Sequence, residues 1–222
     1  VGGEITAGDG QRIAAPTLGA AAADEAQKID EAKANELVAK ANEVTGNNGD
    51  KKLYVQSALK VEPTAYDAAN KTLTLEITPQ YRVVASTATT ADEIKLDGNT
   101  KNAQVVQDYQ PMNITKATVV TMELPTGFAV AGAKLSIKHT KGNGTVEYYT
   151  GTVIQEGGKT YVTFTTKGFS PFTISAATAS IGETMYPTLA EAIAKAANGN
   201  TVKLEKNCEE SVSVSGKSLT ID

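Results

Sequence analysis

Along this chain the spacing of apolar residues changes twice: helical near the N-terminus, alternating through the middle, then reduced to short apolar pairs behind one brief helix. Between Asp24 and Val44 the residues are strong helix formers, opening on an aspartate suited to an N-cap. Ile29, Leu37, Ala41 and Val44 fall near one face, which predicts a helix. Residues 1 to 23 are rich in glycine and alanine and offer little to pack, so a mobile lead-in or an edge segment is expected. TGNNGDKK after the helix reads as a loop.

From Leu53 to Ser175 the period becomes two. Leu73, Leu75 and Ile77 alternate with threonine and glutamate, as do Val120, Met122 and Leu124, and then Leu135, Ile137 and His139. That is the pattern of strands with one buried face. Turn sequences separate them (YDAANK, LDGNTK, LPTGF, HTKGNGT, QEGGKT) at a spacing typical of a sandwich or barrel. The clearest hairpin joins Lys134–Thr140 to Thr145–Val153 through Lys141–Gly144, with Gly142 and Gly144 available for positive φ. Val162 and Phe164 continue the sheet. Phe169 and Phe172, with Pro171 fixing φ at a sheet edge, are expected to lock the last strand onto the core rather than to line a groove.

In the tail, Thr188 followed by Glu191 is a capping box. Leu189, Ala192, Ile193 and Ala196 share one helix face, and Gly199 between Asn198 and Asn200 ends the helix. Val202 with Leu204, Val212 with Val214, and Leu219 with Ile221 predict three very short strands. Strands so short bury a face only when another coil stacks beneath them. The tail therefore reads as the opening of a β-solenoid whose later coils are expected beyond Asp222. The start at Val1 rather than methionine fits a segment of a longer precursor. The expected fold is mainly β: an antiparallel β-sandwich with an N-terminal helix, followed by the helix-capped beginning of a right-handed parallel β-helix. The expected divisions are residues 1–50, 51–178 and 179–222.

Composition narrows the function classes. The 222 residues are 41% hydrophobic with a net charge of −4, enough for a core and without the basic face that phosphate neutralisation needs, so nucleic acid is not an expected partner. The single Cys208 rules out an internal disulfide, and the single His139 rules out the usual Cys/His zinc sites; no cofactor is expected. No run of about 18 apolar residues occurs, so no membrane insertion is expected of this segment. Few cysteines, many threonines and no tryptophan suit an extracellular bacterial module.

Residues capable of chemistry are scattered. His139 and Cys208 would make a base and a thiol nucleophile if adjacent, yet they fall in different expected units. His139 shares the inward face of Leu135 and Ile137, which points to a core or edge histidine, and Cys208 reads as a structural or surface thiol. Ser215–Ser218, SGKS, is similar to the end of a phosphate-binding loop, but Ser211 replaces the earlier glycine and only four residues follow. Glu209 and Glu210 are adjacent and would face opposite sides of a strand, so a solvated turn is the better reading. The loops Gly8–Gly10, Asn47–Asp50 and Asp97–Asn102 carry no EF-hand pattern and read as ordinary turns rather than calcium sites. Lys95, Lys134 and Lys138 would enter an isopeptide crosslink only beside a buried amide or acid, which no residue pattern marks. Carbohydrate stacking is the binding chemistry that composition permits. Tyr148 and Tyr149, as strand neighbours, point to opposite sides so that one can face solvent, and Tyr81 and Tyr109 could extend a platform. These four tyrosines are the candidate ligand contacts, against the plainer reading that they cover a sheet edge.

The stretch Leu135 to Ser175, with FSPF as its most distinctive piece, resembles the end of a β-sandwich module found in large surface proteins of Gram-positive gut bacteria. The tail, with Tyr186, Thr188, Leu189, Ala192, Ile193, Gly199, Thr201, Val202 and Leu204, is similar to the cap that opens pectate-lyase-like parallel β-helices in the same kind of protein. Residues 53 to 130 resemble the rest of the sandwich more loosely. The resemblance implies a secreted or cell-wall-attached, adhesin-like protein and supplies no catalytic residues. The function expected from it is a non-catalytic structural or adhesive module, with host or dietary glycans or matrix proteins as partners. The alternative is an accessory N-terminal region of a polysaccharide lyase or glycoside hydrolase whose catalytic coils lie downstream; a plainer one is a spacer supplying reach and rigidity.

Overall fold

The computed structural model describes residues 4–6, 12–14, 17–18, 31–46, 51–90, 93–94, 102–114 and 116–222. The fold is mainly β and its larger sheets are built chiefly from antiparallel pairs. In chain order the strands are β1 (Glu4–Thr6), β2 (Arg12–Ala14), β3 (Thr17–Leu18), and, after helix α1 (Glu31–Thr45), β4 (Lys52–Asp67), β5 (Thr72–Ser86), β6 (Gln104–Pro111), β7 (Thr118–Glu123), β8 (Lys134–Thr140), β9 (Val146–Glu156), β10 (Lys159–Thr166) and β11 (Pro171–Ala176). The C-terminal unit holds β12 (Ala179–Ile181), β13 (Thr184–Tyr186), helix α2 (Leu189–Lys195), β14 (Thr201–Leu204) and β15 (Thr220–Ile221).

The nine-stranded sheet runs β3-β7-β10-β9-β8-β11-β5-β4, with β6 also on β5. The long β4–β5 hairpin turns where Asp67 Oδ1 accepts from the Asn70 amide at 2.9 Å and Lys71 takes a positive φ of 50°, an Asx arrangement that lets the chain reverse. One edge of β5 carries β4 along its length. The other edge carries β11 at Thr72–Glu76 and β6 at Gln80–Ala85. Where Pro63 interrupts the donor row of β4, the register shifts between Pro63 and Ala65, as a residue without an N–H requires.

The alternating positions predicted as inward are inward. Leu73, Leu75, Ile77, Val120, Met122, Leu124, Leu135, Ile137, Val162 and Phe164 join Leu59, Val61, Phe172 and Ile174 in one buried cluster. Residues from β7 and from β4, near opposite ends of the path, share that cluster, and β3 comes to lie beside β4. The sheet therefore wraps around a single core. Beyond it, the far half of the β4–β5 hairpin packs Val84, Ala88 and Ile94 together, and α1 lies over β5 and β6 with Leu37 and Ala41 buried.

Several expectations are corrected. Of the two alternatives for the glycine- and alanine-rich start the edge segment is the one seen: it forms three short strands, of which β3 pairs with β7 and extends the sheet edge. Val44 is exposed, so the buried stripe of α1 is narrower than predicted; Ile29 and the N-cap aspartate Asp24 lie outside the described residues. Only Gly144 of the β8–β9 turn takes positive φ. Pro171 opens a central strand, between β8 and β5, rather than lying at an edge, which a proline tolerates because the first residue of a strand can forgo its ladder bond. Val212–Val214 forms no strand. The parallel pairing of β14 with β15, Thr201 opposite Thr220 and Val202 opposite Ile221, is the one parallel contact among the described strands.

Gly151 in β9 marks the tightest packing. A Cβ there would lie 2.6 Å from Val162 Cγ2 and 2.9 Å from Ile137 Cδ1. Gly151→Ala is expected to destabilise the chain by about 1–3 kcal/mol, seen as a lower urea midpoint with an unchanged slope. An unaltered midpoint would show that this layer has slack.

Candidate functional site

The β8–β9 hairpin is covered on both faces. Its pleat sends Ile137, His139, Glu147 and Tyr149 toward the main core and Ser136, Lys138, Tyr148 and Thr150 toward the C-terminal unit. On that second face Ser136 Oγ donates to the Met185 carbonyl at 3.0 Å and the Met185 amide donates to Thr150 Oγ1 at 3.2 Å. Lys138 pairs with Glu191, and the Tyr148 and Tyr186 rings stand 4.8 Å apart, tilted by 48°. Burial, with Glu191 as a lesser cause, raises the Tyr148 phenol well above its ordinary pKa.

On the first face His139, 1% exposed, stacks on Phe172 at 4.6 Å between centroids. Its Nε2 is hydrogen-bonded to the Ser170 hydroxyl, and its Nδ1 faces Glu147 Oε2 at 3.7 Å without a hydrogen bond. A proton on Nδ1 turns the positive edge of the neutral ring toward the carboxylate and leaves Nε2 to accept from Ser170. Lys141 and the Tyr149 hydroxyl, the latter at 2.7 Å, hold Glu147 ionised, with its pKa lowered to about 2. The order serine, imidazole, carboxylate is that of a hydrolytic triad. The 3.7 Å gap exceeds hydrogen-bond length, however, and a ring sealed against Phe172 is poorly placed to pass a proton to a bound leaving group. The group instead ties the FSPF segment to the hairpin as a core histidine hydrogen-bonded at Nε2 alone, its Nδ1 held by electrostatics against Glu147.

The other sequence candidates separate. Cys208 is half-buried against the C-terminal core, whereas His139 stacks on Phe172 of the main core. Glu210 does not solvate a turn: its two carboxylate oxygens accept from the Leu189 and Ala190 amides, each at 3.1 Å, at the N-terminus of α2. Lys217 of SGKS donates to the Ile193 and Ala196 carbonyls at the other end of that helix. Both place a charge where the helix dipole favours it. Thr188 caps α2 by accepting from the Glu191 amide at 3.1 Å, while the Glu191 carboxylate turns to the Thr188 hydroxyl and Lys138 instead of completing the box. Lys134 is exposed and donates to Thr152, and Lys138 is the ion-paired residue already placed. Lys95 and the loops Gly8–Gly10, Asn47–Asp50 and all but Asn102 of Asp97–Asn102 lie outside the described residues. Among the described residues no group of three or more histidine, cysteine or acidic side chains is arranged to hold a metal.

The four tyrosines do not form one platform. Tyr81 pairs with Gln110, whereas Tyr109 lies under the Arg82 guanidinium, 5.3 Å from the ring centroid, on the opposite face of the sheet. Tyr148 and Tyr149 do diverge, but each is half-buried, one against each core. What brings them together is the opening at the β9 edge: a cleft of about 420 Å³ lined by Glu147, Tyr148, Tyr149, Lys167, Tyr186 and Lys195, with Val146 and Thr184. Tyr186 is read from the sequence only as part of the cap-like tail, and Lys167 and Lys195 carry no sequence signal; Tyr186 and Lys195 reach the cleft because the C-terminal unit folds back over β9. Comparison with protein-family models, with curated proteins and with solved structures finds no match.

The buried cluster sets a pH dependence. Burial holds the His139 imidazole below its ordinary pKa despite Glu147, and Lys141 adds to the lowering. Both His139 and Glu147 have folded pKa values depressed below their unfolded ones of about 6.5 and about 4.3, so the unfolded chain binds the extra protons. Their contributions are present above those unfolded values. The first is lost as pH falls below about 6.5 and the second as it falls from about 4.3 to about 2. Urea unfolding between neutral pH and pH near 5 is expected to show falling stability, with a shallower fall in His139→Phe. Equal slopes in the two proteins would remove His139 as the source.

Proposed function

We propose that this chain is a non-catalytic structural and adhesive module of a secreted or cell-wall-attached bacterial surface protein, in which an antiparallel β-sandwich carries the helix-capped start of a parallel β-helix on a stiff joint. The observation that carries the reading is the double coverage of the β8–β9 hairpin. One pair of strands supplies side chains to both cores. Bending one unit against the other would strip the Tyr148–Tyr186 ring pair, the Lys138–Glu191 ion pair and the Ser136 and Thr150 hydrogen bonds together. Such a joint transmits orientation, which a segment that spaces or presents neighbouring parts requires, and inter-unit contacts this intimate restrict relative motion.

The sandwich reading is supported by the sheet that wraps one core with contributions from both ends of its path. The β-helix reading is supported by β15 returning parallel beneath β14 while α2 covers Val202, an arrangement that a further coil could extend. Host or dietary glycans and matrix proteins are the proposed partners.

Two measurements test the reading. Binding of the purified chain to arrayed mucin, host and plant glycans and matrix proteins is expected to be saturable; no binding at high micromolar protein would remove the adhesive part and leave the spacer. Hydrogen exchange is expected to give Val202 and Ile193 protection that falls when Tyr148→Ala opens the joint, with a stability loss of roughly 1–3 kcal/mol for a half-buried ring. Exchange of the C-terminal unit that ignores Tyr148→Ala would sink the stiff joint.

A further inference from the structure

We infer that the cleft beside β9 is a binding site for a carboxylate-bearing sugar residue of a glycan, an inference that rests on the adhesive part of the reading above. The cleft exists because two ladders have different lengths. β9 begins at Val146, but its pairing with β10 reaches only Thr152 opposite Thr163. The first half of β9 thus leaves its second edge to the opening, and the C-terminal unit closes the far side with Thr184, Tyr186 and Lys195. At about 420 Å³ it lies within the range of small-ligand pockets, roughly 300–1,000 Å³.

Its charge is unbalanced. Lys138 and Lys141 nearby are each neutralised, by Glu191 and Glu147. Lys167 and Lys195, both exposed and both lining the cleft, have no carboxylate partner among the described residues. Among the described residues Lys195 Nζ donates to the Val146 carbonyl alone, at 2.9 Å, and stands 5.8 Å from the Tyr148 ring centroid. Glu147 also lines the opening, but its oxygens accept from Lys141 and the Tyr149 hydroxyl. In a chain of net charge −4, this is a local surplus of ammonium groups, complementary to an anion.

The rest of the lining chooses among anions. Lysine binds phosphate as a point charge, typically beside arginine forks or a nest of backbone amides that supply the remaining donors, and the lining holds no arginine and no glycine. It is rich in tyrosine, whose rings offer a face for the C–H side of a pyranose and whose hydroxyls exchange hydrogen bonds with sugar hydroxyls. Two lysines for one carboxylate, with phenols around them, fit a uronic or sialic acid.

The test is a ¹⁵N–¹H NMR titration of the full chain with methyl β-D-glucuronide and the methyl α-glycoside of N-acetylneuraminic acid, beside neutral methyl β-D-glucoside. At least one acidic sugar is expected to shift the amides of Val146–Tyr149 and Thr184–Tyr186 with a Kd on the order of 1 mM, with the neutral glycoside at least about tenfold weaker. The double variant Lys167→Gln, Lys195→Gln is expected to weaken the acidic sugar about tenfold while its spectrum stays folded, since both lysines are exposed and the glutamine amide keeps a donor for Val146. Equal binding of acidic and neutral sugars, or binding indifferent to the double variant, overturns the inference and leaves the adhesive reading standing. No sugar binding together with a positive glycan or matrix array also overturns the cleft alone; no sugar binding with a blank array overturns both.

Discussion

Two strands that must satisfy two cores at once set the terms for the rest of this structure. In the β8–β9 hairpin from Leu135 to Thr140 and Val146 to Val153, successive side chains turn to the main core and to the C-terminal unit, so no position there is fully exposed. That explains residue choices that look arbitrary singly. Ser136 and Thr150 are short and polar because they must hydrogen-bond the Met185 and Glu183 backbone at close approach. Gly151 has no Cβ because Val162 and Ile137 occupy the space. The doublet Tyr148–Tyr149 serves both sides, each ring half-buried and each hydroxyl near a carboxylate, Glu191 or Glu147.

The segment after β14 meets the opposite problem, an absence of ladder. Between Leu204 and Thr220 the backbone has no regular partner, and its position is set by two charged side chains reaching the two ends of one short helix. Glu210 satisfies amides at the N-terminus of α2 and Lys217 satisfies carbonyls at its C-terminus. Ser218 adds a 2.7 Å bond to Asn198, and the Gly199 amide donates to the Ser218 carbonyl at 2.8 Å. These anchors deliver Thr220 and Ile221 parallel beneath Thr201 and Val202. A seven-residue helix is too short to be stable alone; here it is the template on which the returning chain is laid.

How much of this was legible follows from the range of each interaction. The alternation at Leu73–Ile77, Val120–Leu124 and Leu135–His139 is local, and it named the inward positions of three strands. The α2 face of Leu189, Ala192, Ile193 and Ala196 was legible for the same reason. Val212 and Val214 carried the same alternation and made no strand: Val212 is half-buried against the C-terminal core, Val214 is exposed, and side-chain burial can be met without a ladder. Glu210 and Lys217 were unreadable because each acts on residues about twenty positions away, where adjacency to Glu209 or a resemblance to a phosphate loop is irrelevant. The divergence of Tyr148 and Tyr149 could be read from strand geometry. That both faces are covered could not, since the cover comes from a unit whose docking no local pattern encodes.

The same docking decides what the cleft can do. A recognition site assembled from two units that moved independently would lose binding free energy each time its walls were brought together. Here Tyr148 and Tyr149 belong to one strand, and Tyr186 and Lys195 are held against it by the contacts that fix the joint. Lys167 follows β10 directly after Thr166, whose hydroxyl pins the turn through the Gly168 amide and carbonyl. The backbone and the rings that frame the cleft are therefore held by the same contacts that fix the joint, while Lys167 and Lys195 reach in from exposed positions. The weak contacts proposed for a single acidic sugar residue would gain most from such a frame, and repeated sugar residues on a polymer would add to them by effective concentration.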